Sequence, residues 1–477
     1  MATGICSMLG ASINVVPFMI HRSVPGIGPY VLPAFIFAAV PALLAALAYG
    51  CLSSAMPRAG GSYIYASRGL HPYLGFVASF SQWFGLSIVI GVIAYVIVPF
   101  IRDVFAELEW NNAAATLEVG WVRVSLGLVM IWSFIYINVR GGKFYERTVV
   151  PLMFIMFLLG AIVIVTGFAF DTNDFQSAAS AVGIESFYST TDASFSWKSF
   201  FFASAVLFSS FIGFDAIAQA GGEAKNPTRS LPLAIVLAIT IVGSFYFLFT
   251  SAVYHMVPWN YVAQEAQIRD ISAPGLLSLV IPAGLAVFIL TGAAIALIND
   301  LPAMLLSVSR LMFSWAEDGI FPRDVSRIHP RYKTPVVALY LSGFMASLGV
   351  LGSHFAGDFF LGIDIMVTSM MVNFLLMCIT LIAIPKTNPF LSSSIIMIRS
   401  SQLRLVIGLA GSLLLVGFLI VHTWKDLSSE VDAWYFHSTY VWLIVMAIAS
   451  AIFFIKLKAL NASGENVSEI FSKLPEE

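Results

Sequence analysis

The sequence is divided into twelve apolar stretches, and each is long enough to cross a lipid bilayer. A spanning helix needs about 20 predominantly apolar residues. The stretches cover residues 2–20, 31–56, 73–101, 121–139, 147–170, 198–222, 231–255, 276–312, 335–354, 359–384, 403–423 and 438–457. Because a helix pairs all its backbone polar groups within one segment, it is the element that crosses hydrocarbon in a chain of this pattern. The sequence therefore predicts an all-α integral membrane protein with twelve transmembrane helices.

The composition agrees with this class and argues against several others. Of the 477 residues, 59% are hydrophobic and only 10% are charged, whereas soluble domains carry roughly 25% charged residues. Proteins that bind nucleic acids usually carry an excess of basic residues. The net charge here is −2, so we expect no nucleic-acid partner. The 3 cysteines and 7 histidines are scattered, so we expect neither disulfides nor a metal site, and no cofactor.

The positions of lysine and arginine predict the orientation. If the N-terminus is cytoplasmic, 18 of the 24 basic residues lie on the cytoplasmic side, as the positive-inside rule requires. The six on the outside are Arg22, Arg102, Arg123, Lys198, Arg269 and Lys425. We therefore expect a protein of the cell membrane with both termini in the cytoplasm. The polar tail from Lys458 is predicted to be disordered.

Two of the apolar stretches contain glycine beside a polar residue near mid-span. The first carries Gly10-Ala-Ser-Ile13, and the sixth carries Phe211-Ile-Gly-Phe-Asp215. Glycine loosens a helix, and a carboxylate in the membrane is costly unless it faces protein or water. The two segments lie five spans apart, so they run in opposite directions, and such a pair points to a transporter binding site. The alternative is close helix packing at the glycines and an Asp215 that pairs with a neighbouring helix.

Four motifs together resemble the amino acid–polyamine–organocation transporter superfamily. They are Gly10-Ala-Ser-Ile13 with Pro17; Pro57-Arg-Ala-Gly-Gly-Ser-Tyr-Ile-Tyr65; Phe211 to Asp215 with Glu223-Ala-Lys-Asn-Pro227; and Ser309-Arg310 with Glu317-Asp-Gly-Ile-Phe-Pro322. The resemblance implies a leucine-transporter-type fold, in which five helices are followed by five inverted helices, with helices 1 and 6 discontinuous. It divides the chain into a first repeat (1–170), an inverted repeat (171–384), two additional helices (385–457) and a short cytoplasmic tail (458–477).

The same resemblance implies how a substrate binds. Free backbone amides at a break in helix 1 (residues 10–13) would hold a carboxylate, and free carbonyls at a break in helix 6 (residues 211–214) would hold an amine. The predicted substrate-binding residues are Gly10, Ala11, Ser12, Ile13, Gln82, Phe208, Phe211, Ile212, Gly213 and Phe214. Other interpretations stay open at three places. Gly10 and Ser12 can form a packing face, the phenylalanines can pack between helices, and Gln82 can bond another helix.

Three further polar residues are candidates for ion or proton coupling. Asp215 matches the acidic position of the superfamily's helix 6 motif. Asn299 and Asp300 precede Pro302 in helix 8, where a cation or proton could be held. The alternative for Asp300 is an internal pair between helices. Some proton-coupled relatives have a lysine in helix 5, and this chain has Met156 there, so the choice between a proton and sodium stays open.

These observations predict a secondary active transporter for an amino acid or related amine, working by alternating access in a lipid bilayer. Two alternatives remain, a polyamine or organic cation permease and a non-transporting amino-acid sensor. A membrane enzyme would need clustered acid, base or metal groups near one interface, and a channel would need a polar lining along several helices. The sequence shows neither pattern.

Overall fold

The computed structural model describes residues 1–184, 194–356, 360–431, 433–463 and 465–475, without the side chains of Ala11, Ser12, Ala356 and Ser468. Among these residues, 12 helices are long and apolar enough to cross a membrane, which confirms the predicted all-α class. No strand forms in the described parts of the chain. Two isolated β-bridges, Ala59 to Ala220 and Ile328 to Pro335, join loop segments.

Ten of the spanning helices are continuous. They are Val31–Ala55 (helix 2), Pro72–Glu107 (helix 3), Gly120–Val139 (helix 4), Gly142–Ala169 (helix 5), Pro227–Met256 (helix 7), Ala283–Glu317 (helix 8), Val336–Ala356 (helix 9), Phe360–Thr387 (helix 10), Ser401–Leu427 (helix 11) and Ser438–Ala462 (helix 12). Helix 1 is split into helix 1a (Ala2–Met8) and helix 1b (Ala11–Ser23). Helix 6 is split into helix 6a (Trp197–Leu207, continued by a 3₁₀ turn over Phe208–Phe211) and helix 6b (Ala216–Gln219).

Helix 8 begins later than its hydropathy predicts. The apolar stretch starts at residue 276, but the helix starts at Ala283, after Pro282. Proline has no backbone N–H to donate and is tolerated at a helix start, where that donor has no partner within the helix. The residues before it form a separate short helix, Ala273–Leu277, capped by the side chain of Ser272. Helix 8 then runs for 35 residues, about 52 Å at 1.5 Å per residue, so it extends beyond the roughly 30 Å hydrocarbon core.

The interrupted helices lie at the centre of the bundle. Within an 18-residue apolar stretch of helix 1, 94% of the residues are buried, and within the corresponding stretch of helix 6, 89% are buried. The corresponding fraction is only 17% in helix 12. A helix that is apolar all round is buried in protein or faces lipid. Helices 1 and 6 are therefore enclosed by protein, and helix 12 leaves most of its apolar surface at the periphery.

The C-terminal tail is more ordered than its polarity predicts. Helix 12 continues to Ala462, and Val467–Ser472 forms a short helix. This helix packs against the helix Gly61–Gly69, which follows helix 2. Phe471 is 6% exposed and lies under the guanidinium of Arg68, 5.4 Å from its ring centre. Burial of this aromatic ring and the cation–π contact explain why a polar segment is held on the protein.

Candidate functional site

Helix 1 is interrupted at Leu9 and Gly10, between helix 1a and helix 1b. The break is shorter than the predicted one at residues 10–13, because helix 1b already begins at Ala11 and includes Ile13. The hydroxyl of Tyr246 in helix 7 donates to the carbonyl of Met8, and Asn14 donates to the carbonyl of Gly10 at 3.4 Å. The last carbonyls of a helix have no partner within it, so the Tyr246 hydroxyl pairs with a carbonyl that the end of helix 1a leaves open.

The break in helix 6 lies at Ile212 to Asp215, one residue later than predicted. Gly213 has φ of +132°, a backbone conformation that side chains other than glycine rarely adopt. A Cβ atom at Gly213 would lie 2.4 Å from the carbonyl oxygen of Ser7 in helix 1a. Because Gly213 has no side chain, it can adopt this left-handed conformation in helix 6. For the same reason, the backbones of the two interrupted helices can come into contact there.

Helix 8 brings the carboxylate of Asp300 to the break in helix 1. A Cβ atom at Gly10 would lie 1.6 Å from Oδ2 of Asp300, so the carboxylate lies against the Cα of Gly10. Gly10 is the residue that precedes helix 1b. The N-terminus of a helix carries unpaired amides and a partial positive charge, which favour an anion. The Asp300 carboxylate is thus placed where the helix 1 break favours negative charge.

A cavity adjoins both breaks and Asp300, and helices 1, 3, 6, 8 and 10 line it. Its described lining consists of Ser7, Val15, Val16, Val89, Val92, Ile93, Val96, Ser209, Ile212, Asp300, Met304, Ile363 and Met366. The volume is about 40 Å³, far below the roughly 300 Å³ at which ligand pockets begin. In this conformation the site is collapsed, and a substrate would enter it only after the surrounding helices separate.

The sequence did not single out most of the residues that line the cavity. Of the predicted substrate-binding residues, Ile212 lines it directly, and Gly10 adjoins it through Asp300. The valines and isoleucine of helix 3 were missed because an aliphatic side chain in a membrane helix usually packs or faces lipid. Ser209 is the exception, since a serine within an apolar run and close to Gly213 stands out in the sequence.

The three predicted phenylalanines pack between helices in this conformation. Phe214 stacks on Phe374 of helix 10, with ring centres 4.9 Å apart, and Phe211 lies 4.9 Å from the ring of Phe35. Phe208 is fully buried, with its ring 6.0 Å from Phe374. These contacts join helix 6 to helices 2 and 10. The side chains of Ala11 and Ser12, also predicted to bind substrate, lie outside the described part of the structure.

Asn299 turns away from the cavity toward helices 1a and 5. Its Nδ2 lies 3.2 Å from Sγ of Cys6, 3.1 Å from Sδ of Met156 and 3.3 Å from the carbonyl of Val149. The amide of Asn299 therefore contacts helix 1a through Cys6 and helix 5 through Met156 and Val149. Among the described residues, no group of three His, Cys, Asp or Glu side chains is placed to hold a metal ion.

Gln82 and Asp215 lie together in a buried network beside the helix 6 break. Nε2 of Gln82 donates to Oδ2 of Asp215, whose Oδ1 accepts from the backbone N–H of Gly213 at 3.1 Å. The Oε1 atom of Gln82 accepts from Ser62 Oγ at 2.6 Å, Gln219 Nε2 at 3.2 Å and Asn373 Nδ2 at 3.3 Å. The network therefore ties helices 3, 6 and 10 to the Gly61–Gly69 helix.

A second, larger cavity opens at the end of the bundle opposite to the Gly61–Gly69 helix. It has a volume of about 750 Å³ and lies where helix 1b ends and helices 6a and 10 begin. Arg22, Lys198 and Lys425 line it, together with Asp364, whose carboxylate lies 3.2 Å from the ammonium of Lys425. Helices 1, 6 and 10 contribute residues to both this vestibule and the small cavity, whereas helix 11 lines only the vestibule.

Comparison with known proteins identifies the family. The profile of the amino acid permease family matches residues 1–456. The cationic amino acid transporter 4 of Mus musculus is 26% identical over 354 residues, which are 72% of this chain and 53% of that protein. A branched-chain amino acid permease of Bacillus subtilis is 25% identical, over 68% of each chain. A low-affinity putrescine importer of Escherichia coli is 24% identical, over 66% of each chain.

The chain spans about half the length of the cationic amino acid transporter that it matches. The family profile covers nearly the whole sequence, and the twelve apolar helices agree with a multi-pass membrane protein. The chain therefore belongs to the amino acid permeases of the amino acid–polyamine–organocation superfamily.

Proposed function

We propose that this protein is a secondary active transporter that moves an amino acid or related amine across the cell membrane by alternating access. The observation that carries the proposal is the contact between the two interrupted helices beside one enclosed cavity. Gly213 lies against the Ser7 carbonyl, and Asp300 lies against Gly10. Broken helices that meet inside the bundle are the usual place for a transporter to bind its substrate. The three relatives are named as a transporter of cationic amino acids, a permease for branched-chain amino acids and an importer of putrescine.

In this proposal the described conformation is closed on the cytoplasmic side. With the N-terminus in the cytoplasm, the Asp215 network, the Gly61–Gly69 helix and the C-terminal segment all lie between the cavity and the cytoplasm. The large vestibule then faces the outside. Transport requires these contacts to separate while the vestibule closes. The segments 1–170 and 171–384 are the repeats that would move relative to each other, with 385–457 at the periphery and the tail 458–477 in the cytoplasm.

Two groups of residues have distinct proposed roles. The backbone around Gly10 and Gly213, with Ile13, Ile212 and the residues beside them, would surround the substrate once the cavity opens. Asp215, Asn299 and Asp300 are the candidates for sensing a coupling proton or sodium ion, because Asp215 and Asp300 lie against the glycines of the two breaks and Asn299 contacts helix 1a. Exchange of one substrate for another is the alternative to ion coupling.

Uptake into proteoliposomes tests the proposal. We expect purified protein to accumulate at least one labelled member of a panel of amino acids and amines above empty liposomes. An imposed proton or sodium gradient, or preloading with unlabelled solute, would separate coupled transport from exchange. A diamine such as putrescine in the panel tests the polyamine alternative. Saturable binding of a panel member in detergent without uptake would contradict transport and identify a sensor.

A further inference from the structure

The break in helix 1 already holds a carboxylate that belongs to the protein. Oδ2 of Asp300 lies so close to Gly10 that a single Cβ atom there would come within 1.6 Å of it. Asp300 itself is 2% exposed. Gly10 thus makes room for the Asp300 side chain. The partial positive charge at the start of helix 1b, which would attract the carboxylate of an amino acid, is compensated by this side chain instead.

The rest of the cavity suits an apolar body and one polar end. Ten of the thirteen described lining residues are Val, Ile or Met, and Asp300 is the single charged side chain among them. Ser209 also lines the cavity, is 2% exposed, and has a hydroxyl with no hydrogen-bond partner in the described structure. A buried hydroxyl without a partner is unfavourable, so Ser209 marks a place where a ligand N–H would be stabilised.

A zwitterion fits this arrangement poorly. Its carboxylate would approach the helix 1 break that Asp300 occupies, and two carboxylates that share one buried site do not both stay ionised. An amine cation without a carboxylate meets no such conflict. Its ammonium group would face the Asp300 carboxylate and the Ser209 hydroxyl, and its hydrocarbon part would contact the aliphatic side chains of helices 3 and 10.

We infer that the substrate is a small aliphatic amine cation without a carboxylate, bound by Asp300 at the break in helix 1. This inference rests on the proposed transport function and specifies the class of solute. Asp300 takes the place of the carboxylate that an amino acid would bring with it. The single carboxylate and the aliphatic lining favour a monoamine over a diamine, because a second ammonium group would be buried against valine and isoleucine.

A set of ligands related to leucine tests the inference on the unmodified protein. Leucine, its methyl ester, 3-methylbutylamine and 4-methylpentanoate share one hydrocarbon skeleton and differ in their charged groups. Each would compete in a thermal-stability or radioligand assay with purified protein. We expect 3-methylbutylamine to bind at least tenfold more tightly than leucine. The methyl ester should also bind more tightly than leucine, although it is larger, and 4-methylpentanoate should not bind.

The isosteric variant Asp300→Asn provides the second test. We expect it to lose at least tenfold in affinity for 3-methylbutylamine while its affinity for leucine stays equal or rises. Asp103→Asn is the matched control, because Asp103 pairs with Arg102 outside the cavity. If Asp300→Asn does not fold, the ligand series on the unmodified protein still decides the question.

The outcomes separate this inference from the proposed function. Leucine binding as tightly as 3-methylbutylamine, or proton uptake on leucine binding, would overturn the amine assignment and leave amino acid transport intact. Binding of none of the four compounds also contradicts the assignment. In that case uptake of another panel member into proteoliposomes would retain the transport function, and uptake of none would reject both.

Discussion

The guanidinium of Arg68 and the carboxylate of Asp318 form a two-pronged ion pair in a buried site. Nη1 lies 2.6 Å from Oδ2, and Nη2 lies 2.8 Å from Oδ1. The two side chains are only 1% and 5% exposed. The pair joins the Gly61–Gly69 helix to the end of helix 8, on the face where helix 1 begins. Planar, bidentate pairs of this kind are among the strongest charge-assisted hydrogen bonds.

Removing one partner of this pair should destabilise the protein strongly. We expect Arg68→Met or Asp318→Asn to lower the free energy of unfolding by about 3–5 kcal/mol, because each leaves the other charge buried and unpaired. The double variant should lose much less than the sum of the two. Unfolding in mixed micelles and a double-mutant cycle measure the coupling. Strictly additive losses would show that the pair is not a stabilising unit.

The contact between Asp215 and Gln82 predicts that a change at Gln82 can compensate for the loss of the Asp215 carboxylate. In Asp215→Asn one of the two acceptor oxygens becomes an NH2 group, which would oppose either the Nε2 of Gln82 or the backbone N–H of Gly213, at a cost of about 1–3 kcal/mol. We expect the variant to fold but to transport about tenfold more slowly, since 1.4 kcal/mol corresponds to a factor of ten. Adding Gln82→Glu returns an acceptor to the pair and keeps the donors of Ser62 and Gln219 satisfied.

Proteoliposome uptake and melting temperature of the single and double variants check this prediction. Recovery of both in the Asp215→Asn, Gln82→Glu protein is the expected result. Wild-type uptake in Asp215→Asn alone would remove the case for this carboxylate. Failure of the double variant to recover uptake, with recovered stability, would indicate that the charge must be on helix 6 itself.

Gly213→Ala should be far more damaging than the same change at a membrane glycine that has open space beside it. A backbone at φ of +132° costs of order 1–3 kcal/mol for a residue with a side chain, and the added methyl would overlap the Ser7 carbonyl. Gly417→Ala is the control, because a Cβ atom there meets nothing within 4 Å. We expect loss of uptake and a lower melting temperature for Gly213→Ala only. Equal behaviour of the two variants would contradict the strained turn in helix 6.

The C-terminal segment should protect the protein surface beneath it from proteolysis. Arg58 donates to the carbonyl of Pro475 at 3.0 Å, and Arg68 donates to those of Lys473 and Ile470 at 3.2 and 3.3 Å. Ending the chain at residue 463 removes these acceptors. We expect trypsin to cleave at both arginines faster in the shortened protein.

Mass spectrometry of the tryptic fragments measures this protection in detergent. Cleavage at Arg269, whose side chain is 61% exposed at the other end of the bundle, is the internal control and should not change. Phe471→Ala, which removes the cation–π contact with Arg68, should give an intermediate rate. Unchanged cleavage at Arg58 and Arg68 would show that the segment does not cover them.

The features that local sequence determines were predictable. Hydropathy over about 20 residues located all twelve spans, because a helix in lipid has to satisfy its own backbone. Glycines in apolar runs marked both helix breaks. The predicted and observed interruptions share Gly10 in helix 1 and residues 212–214 in helix 6, where Gly213 needs a backbone conformation that few other residues adopt. The start of helix 8 was missed by seven residues, because hydropathy does not register the missing donor of Pro282.

Contacts between distant residues were not predictable from local patterns. Gly10 and Asp300 each stood out, but nothing in the chain indicated that they touch across 290 positions. Gln82 likewise had two open interpretations, and only the fold places its amide on Asp215. The tail was predicted from its polarity alone, whereas its position depends on one aromatic ring, that of Phe471, and on carbonyls that accept from Arg68.

The close approach of Gly213 to Ser7 has a mechanical consequence. The two broken helices touch at this point through their main chains, because Gly213 lies against the carbonyl group of Ser7. Because the two main chains are in direct contact, a tilt of helix 1a has to displace helix 6 at Gly213, and a tilt of helix 6 has to displace helix 1a. We therefore expect the breaks in helix 1 and helix 6 to change conformation together, whichever of them a solute contacts first.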